Sequence, residues 1–305
     1  MGDSQRTRQN RALRRESEKY ERSMRDTTIV PAGRPGSATL KFALGNFWRH
    51  RSLIRQMTWR EVAARYRGSL MGVVWSLLLP ILMLGVYTFV FGVVFQSRWG
   101  GEAQGGKGEF AVILFAGLIV HGLFAEVFNR APGLVLGNSN YVKRVIFPLD
   151  ILVWVALGSA LFHAATALAV LLGLFFLLHG FLHWTILFLP LVLAPLLVLM
   201  LGMGWFLAAL GVYARDIAQV TGVLTMVLLF LAPVLYPVDA VPQPYRTMLL
   251  LNPLTVIIEQ AREVLIWGRP PDWFALGIYS LVATIAAAIG FWWFQRTRAG
   301  FADVM

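Results

Sequence analysis

The chain has 305 residues, 57% of them hydrophobic and only 14% charged, with a net charge of +11. Soluble chains average roughly 25% charged residues, so this composition excludes a water-facing globule as the whole structure. The basic excess lies mostly before Leu70, beside apolar runs, which points to membrane orientation and anionic lipid rather than nucleic acid; the absence of cysteine removes disulfides, thiolate metal sites and cysteine nucleophiles.

Residues 1–40 are polar and basic, with Pro31, Gly33, Pro35 and Gly36 near their end. They contain no apolar stretch of a secretory signal and read as a disordered cytoplasmic tail. Residues 41–70 are basic with interspersed aromatics, namely Phe47, Trp48, Trp59 and Tyr66, and contain no proline. That pattern predicts a helix lying on the membrane. Its periodicity is imperfect, because Arg60 and Arg67 fall near the stripe of Leu53 and Ala64. A break near Thr58, or a protein partner covering both faces, accounts for this better than lipid alone.

From residue 71 the pattern predicts an all-α integral membrane protein with six spans: Met71–Phe95, Phe110–Phe128, Ile151–Leu178, Phe181–Gly211, Ile217–Tyr236 and Trp273–Phe294. Each approaches or exceeds the ~20 residues that cross a bilayer. The third and fourth are long enough to tilt, and Pro190 and Pro195 are candidate kinks in the fourth. With the N-terminus inside, 22 of the 27 lysines and arginines lie on the cytoplasmic side. This predicts an N-in, C-in protein of the cytoplasmic membrane.

Between spans five and six, Pro237–Asp272 contains the apolar run Met248–Ile258, interrupted by Asn252-Pro253. Asn suits an N-cap and Pro a first helical turn, so a helix over Pro253–Trp267 is expected, stopped by Gly268 and Pro270. It is roughly 20 Å long, too short to span. Two short helices dipping into the outer leaflet are the reading; an interfacial helix is the alternative.

The stretch Gly101–Gly108 fits G-x-x-x-x-G-K but then has Gly108 where Ser or Thr must hold magnesium. It follows no strand and is rejected as a nucleotide site. His121, Glu126 and His163 are ionisable residues within spans. Such residues are functional suspects by default, and a proton-coupled transporter would use them, but structural hydrogen bonding is the preferred reading. No H-E-x-x-H or G-x-S-x-G occurs, so no catalytic residue and no metal ligand is assigned. Tyr87 and Phe91, one turn apart in span one, and Tyr236 at the end of span five are candidates for stacking on sugar rings, with helix packing as the alternative.

The segment Arg60–Ser69 (REVAARYRGS), followed by Leu70, Gly72, Trp75 and Pro80, resembles the entry to the first span in type-2 ABC exporter permeases. The nearest branch exports O-antigen and related polysaccharides. Asn138–Pro148, Tyr213–Ile217 and the terminal Phe301–Met305 resemble further stretches of that family in the same order. The long N-terminal extension departs from it.

The resemblance implies a homodimer enclosing a path for a lipid-linked glycan. It also implies a separate ABC ATPase subunit that holds ATP and magnesium, so this chain needs no cofactor of its own. Arg60, Glu61, Arg65 and Arg67 would belong to the ATPase interface. Asn138, Tyr141, Lys143 and Arg144 would belong to the coupling loop. Tyr87, Phe91 and Tyr236 would line the pore, and Asn252, Pro253, Glu259 and Arg262 would form the periplasmic gate. The competing readings are a type-2 exporter of a drug or small lipid, a proton-coupled secondary transporter, and a membrane-embedded glycosyltransferase.

Overall fold

The computed structural model describes residues 39–69, 71–94, 107–142 and 147–304; most of the expected 1–40 tail lies outside them. The described residues are helices joined by turns, with no strand among them. Helix α1 is Leu40–Arg65. Span one comprises a short 3₁₀ turn, α2 (Trp75–Tyr87) and a π-helical stretch, Thr88–Val94. Then follow α3 (Lys107–Arg130), the short α4 (Ser139–Val142), α5 (Ile151–His179) and α6 (Leu189–Tyr213). The remainder is α7 (Ile217–Leu231), α8 (Gln243–Leu250), α9 (Thr255–Leu265), α10 (Trp273–Thr297) and the terminal α11 (Phe301–Val304).

Among the described residues five helices are long and apolar enough to cross a membrane: Gly72–Val94, Glu109–Gly133, Ile151–His179, Trp184–Tyr213 and Trp273–Gly300. The expected fifth span is the exception. Its apolar run continues to Leu235, yet α7 stops at Leu231 after 15 residues. Pro233 explains the stop: it biases the residue before it away from helical angles, and Ala232 is extended at φ −92°, ψ 151°. At 1.5 Å per residue α7 is about 22 Å long.

Two expected irregularities move. Pro190 lies in the first turn of α6, where proline removes no helical hydrogen bond, while Pro195 sits inside the helix. The break in α1 is at His50 (φ −107°, ψ 15°) rather than near Thr58. There a His50 ring nitrogen lies 3.0 Å from the Asn46 carbonyl, the acceptor that a regular i→i−4 bond needs.

The tightest packing is between α6 and α10. A Cβ at Gly202 would lie 2.5 Å from the Ala287 Cα, and one at Gly290 would collide with the Gly202 carbonyl. Small residues let the two backbones approach, the device that membrane helices use where hydrocarbon gives no hydrophobic push. Trp205 fills the adjoining space, its ring 4.8 Å from Phe291 and its indole N–H donating to the Asp150 carbonyl at 3.0 Å.

Helix α1 runs parallel to the first half of α5. Phe47 meets Trp154, Ile54 packs with Ile151 and Val155, Thr58 closes on Gly158, and Trp59 meets Phe162. Arg49, Arg51 and Arg55 on the other side of α1 stay exposed. Hydrocarbon cannot surround those charges. Helix α5, about 44 Å long, exceeds the ~30 Å of an apolar layer.

Span one and α7 are the least covered. Leu82, Val86 and Phe89 on one, and Val223, Met226 and Phe230 on the other, face outward. The buried residues of α7 are Thr221 and Thr225.

Candidate functional site

The α1 end of the bundle gathers most of the residues expected at an interface. Arg60 donates to the Tyr141 hydroxyl at 3.1 Å. Tyr141 stacks on Phe147 with ring centres 4.3 Å apart and planes 13° from parallel. Asn138 donates to the Leu134 carbonyl at 2.9 Å, which holds it on its own turn. Arg60, Glu61 and Asn138 line one small cleft of about 230 Å³, walled by Met57, Leu134 and Leu152. Arg67 lies in the exposed turn after α1. Lys143 and Arg144 lie outside the described residues.

Glu61 and Arg65 join an ionic network with α3 and α5. Arg65 donates to Glu126 at 2.8 Å, and the His163 Nδ1 lies 2.9 Å from the same carboxylate. Arg130 pairs closely with Glu61 and lies 3.7 Å from Glu126. One carboxylate on α3 thus gathers cationic or polar partners from α1, α3 and α5. The Glu126 side chain is 15% exposed, whereas that of Arg65 is 54% exposed. Sequence reasoning noticed Glu126 and His163 but not their partner: Arg65 and Glu126 are 61 positions apart, and nothing local couples them.

Asp150 was missed. It stands just before α5 and is almost fully buried. Asn46 of α1 donates to its carboxylate. Burial pushes its carboxyl group up from the ordinary range; the Asn46 hydrogen bond and the nearby Arg298 guanidinium oppose that shift. Arg298 is itself held by the Phe147 carbonyl at 3.2 Å. An acid at the start of an apolar run reads as a helix cap, yet this side chain makes no capping bond.

The opposite end is organised around Arg262, 1% exposed on α9. It donates to the Ile113 carbonyl (3.1 Å), the Pro233 carbonyl (2.6 Å), the Val234 carbonyl (3.0 Å) and the Glu259 carboxylate (2.8 Å). Pro233 and Val234 lie at the break after α7, where carbonyls have lost helical partners. Backbone groups at membrane depth must be satisfied by protein or water, and a guanidinium, with five donors, can serve several at once. Gly117 makes the room: a Cβ there would lie 2.9 Å from the guanidinium. Asn252 also braces the break, donating to the Leu228 carbonyl at 3.1 Å while accepting from the Leu254 N–H at 2.9 Å. The Pro253 carbonyl accepts from Tyr279 at 2.7 Å. The expected cap moves: α9 begins at Thr255 rather than Pro253, its N-cap residue is Leu254, and no side chain caps it. Asn252 closes the preceding turn instead, while the stop near Gly268, left-handed at φ 65°, is present.

The three aromatic candidates are dispersed. Tyr87 lines a lateral cleft of about 350 Å³ between spans one, two and three, together with Pro80, Met83, Leu118, His121 and Glu126. Phe91 meets Phe110 at 5.6 Å. Tyr236 donates to the Phe230 carbonyl at 2.8 Å and is not part of that cleft. His121 lies 3.0 Å from the Thr225 carbonyl, and Thr225 donates to Asn129 at 3.2 Å. Helix α7 therefore meets α3 through polar groups. Among the described residues no three His, Asp or Glu side chains are grouped as a metal site.

The sequence model of the ABC-2 type transporter family matches residues 52–266. The O-antigen export system permease protein RfbA of Myxococcus xanthus is 26% identical over 84% of this chain and 96% of its own length. The polysialic acid transport protein KpsM of Escherichia coli is 25% identical over 76% of this chain and 88% of its own. A second O-antigen export system permease protein RfbA, from Klebsiella pneumoniae, is 21% identical over 88% of this chain and all of its own length.

Proposed function

This chain belongs to the ABC-2 type transporter family, and from that premise we propose that it is the permease subunit of an ATP-driven exporter of a lipid-linked polysaccharide. One observation carries the reading: relatives named for O-antigen export and polysialic acid transport align with 76–88% of this chain. The chain is then a multi-pass transporter component and not itself an enzyme. ATP and magnesium are held by a separate ATPase subunit.

In this reading α1 and the Asn138–Tyr141 turn face the cytoplasm and receive the ATPase. Arg60, Arg67, Lys143 and Arg144 present its charged surface. The N-terminus and C-terminus are both inside, consistent with 22 of 27 basic residues on that side. Two copies meet across the uncovered apolar faces of span one and α7, which bury little within one chain. The glycan passes between them, with Tyr87, Phe91 and Tyr236 offering aromatic faces along its route. Segments α8 and α9, with Asn252, Pro253, Glu259 and Arg262, form the outer mouth.

The test is genetic and chemical. A strain lacking this chain is expected to lose a surface polysaccharide and to accumulate its lipid-linked precursor inside. A plasmid copy restores the surface polymer. Unchanged surface polysaccharide in the deletion strain contradicts the proposal. The lateral cleft beside Tyr87 favours one second reading, export of a small amphiphile; that reading expects retention of a small lipid or drug with the surface polymer intact.

A further inference from the structure

We infer that Glu126 is the positioning residue through which movement of α1 reaches spans two and three. The inference rests on the proposed reading in one respect: an ATPase moves α1.

Along most of their length the α1–α5 contacts are apolar or small, such as Ile54 on Ile151 and Val155, Thr58 on Gly158, and Trp59 on Phe162, with the Asn46–Asp150 hydrogen bond at the start of α5. Apolar contacts are non-directional and tolerate sliding. Ion pairs with hydrogen-bond geometry do not, because they fix both distance and direction. Among the described residues, the ion pairs that α1 makes with other helices lie at its last turns. Arg65 reaches Glu126 on α3, and Glu61 reaches Arg130 one turn further along α3. His163 completes the link to α5, its Nδ1 lying 2.9 Å from the carboxylate and 2.9 Å from the Arg65 guanidinium.

The place of the lock matters as much as its chemistry. Arg65 is the final residue of α1, and the chain turns at once into span one through Tyr66–Ser69, with Gly68 left-handed at φ 83°. A displacement of α1 therefore has two outlets: along the chain into span one, and across Glu126 into α3 and α5. Without the carboxylate α1 loses a group that ties it to α3 and α5 together, and the Glu61–Arg130 pair and the Arg65–His163 contact are left to carry the second outlet. Arg65 is more than half exposed, and exposed ion pairs contribute little to stability. The network is thus able to break and re-form during a cycle without unfolding the bundle.

Glu126→Gln keeps the shape and one acceptor but removes the charge. The experiment uses the whole complex with its ATPase, in a strain whose own copy is deleted. Surface polysaccharide is quantified in cells, and ATP hydrolysis is measured on the purified complex. The variant is expected to assemble and hydrolyse ATP within about twofold of wild type, while surface polymer falls roughly tenfold, within the range for residues that carry coupling. Should Glu126→Gln fail to accumulate, Arg130→Gln removes the adjoining pair and is expected to give the same split. Export within twofold of wild type in an assembled variant overturns the inference, as does a parallel fall of hydrolysis and export. A wild-type copy that restores no polymer instead overturns the proposed function.

Discussion

Two charged constellations sit at opposite ends of the same bundle, and they are built differently. At the α1 end, Glu126 shares its charge among Arg65, His163 and Arg130, which are all at least partly exposed. At the other end, Arg262 is buried and spends three of its hydrogen bonds on backbone carbonyls. The first joins side chain to side chain across three helices and is replaceable by water. The second substitutes for the helical hydrogen bonds that α7 loses at Pro233. The lesson is that charge near a membrane serves two ends. Exposed pairs set register and can be exchanged, while a buried cation bonded to carbonyls is part of the scaffold. Helix α9, with Ile257, Ile258, Ala261 and Val264 all fully buried, is accordingly a brace. Helix α8 is less enclosed: its Tyr245 and Met248 are exposed.

The largest effect is expected where the comparison is sharpest. Arg262→Met leaves the Pro233 and Val234 carbonyls without their donor and Glu259 without its partner. Leaving a buried acceptor unsatisfied costs about 1–3 kcal/mol, and several carbonyls share this donor, so the variant is expected to vanish from membranes or melt far below wild type in detergent. An unchanged melting temperature would reduce the pin to an ornament.

Gly117→Ala presses on the same pin from the other side, with its new methyl 2.9 Å from the guanidinium. Overpacking a filled site costs about 1–3 kcal/mol, and the melting temperature is expected to fall by less than with Arg262→Met. A neutral outcome would mean that the guanidinium can retreat.

Much of this architecture was legible in the sequence, and the reasons for the rest are physical. Long apolar runs announce spans because hydrocarbon thickness sets their length, so spans one to four and six were placed to within a few residues. The end of α7 was not, since Leu235 and its neighbours are as apolar as the helix they follow. Pro233 marked the stop, and hydropathy outweighed it. The family motifs drew attention to the α1 end, where Arg60, Glu61 and Asn138 line one cleft. They did not reveal that Glu61 and Arg65 pair with Arg130 and Glu126, because partners on α3 and α5 are invisible to local pattern. Asp150 was passed over for the same reason: its partner, Asn46, is 104 positions away.

At the α1 end the expected effects on stability are smaller. Arg65→Gln removes a partly exposed partner of Glu126 and should change stability by less than about 1 kcal/mol. A loss as large as that from Arg262→Met would erase the distinction between the two ends. Asp150→Asn is the mildest. Because burial raises the Asp150 pKa, the folded chain holds that proton more tightly than the unfolded chain. Stability from this group is fullest below the unfolded carboxylate range and declines as pH rises through the folded value. Asparagine removes that decline. Its melting temperature at pH 7 is expected to equal or slightly exceed that of wild type, with a flatter dependence between pH 4 and 7, as thermal unfolding across that range would report.

The central claim is that these two ends lie on opposite sides of the membrane, with α1 inside. The chain contains no cysteine, so single cysteines report sidedness without a background. Asn140→Cys and Tyr245→Cys place one thiol at an exposed position on each end. With a membrane-impermeant maleimide on intact spheroplasts, position 245 is expected to label at once, and position 140 only after permeabilisation. Labelling of position 140 from outside, with position 245 protected, would contradict the account.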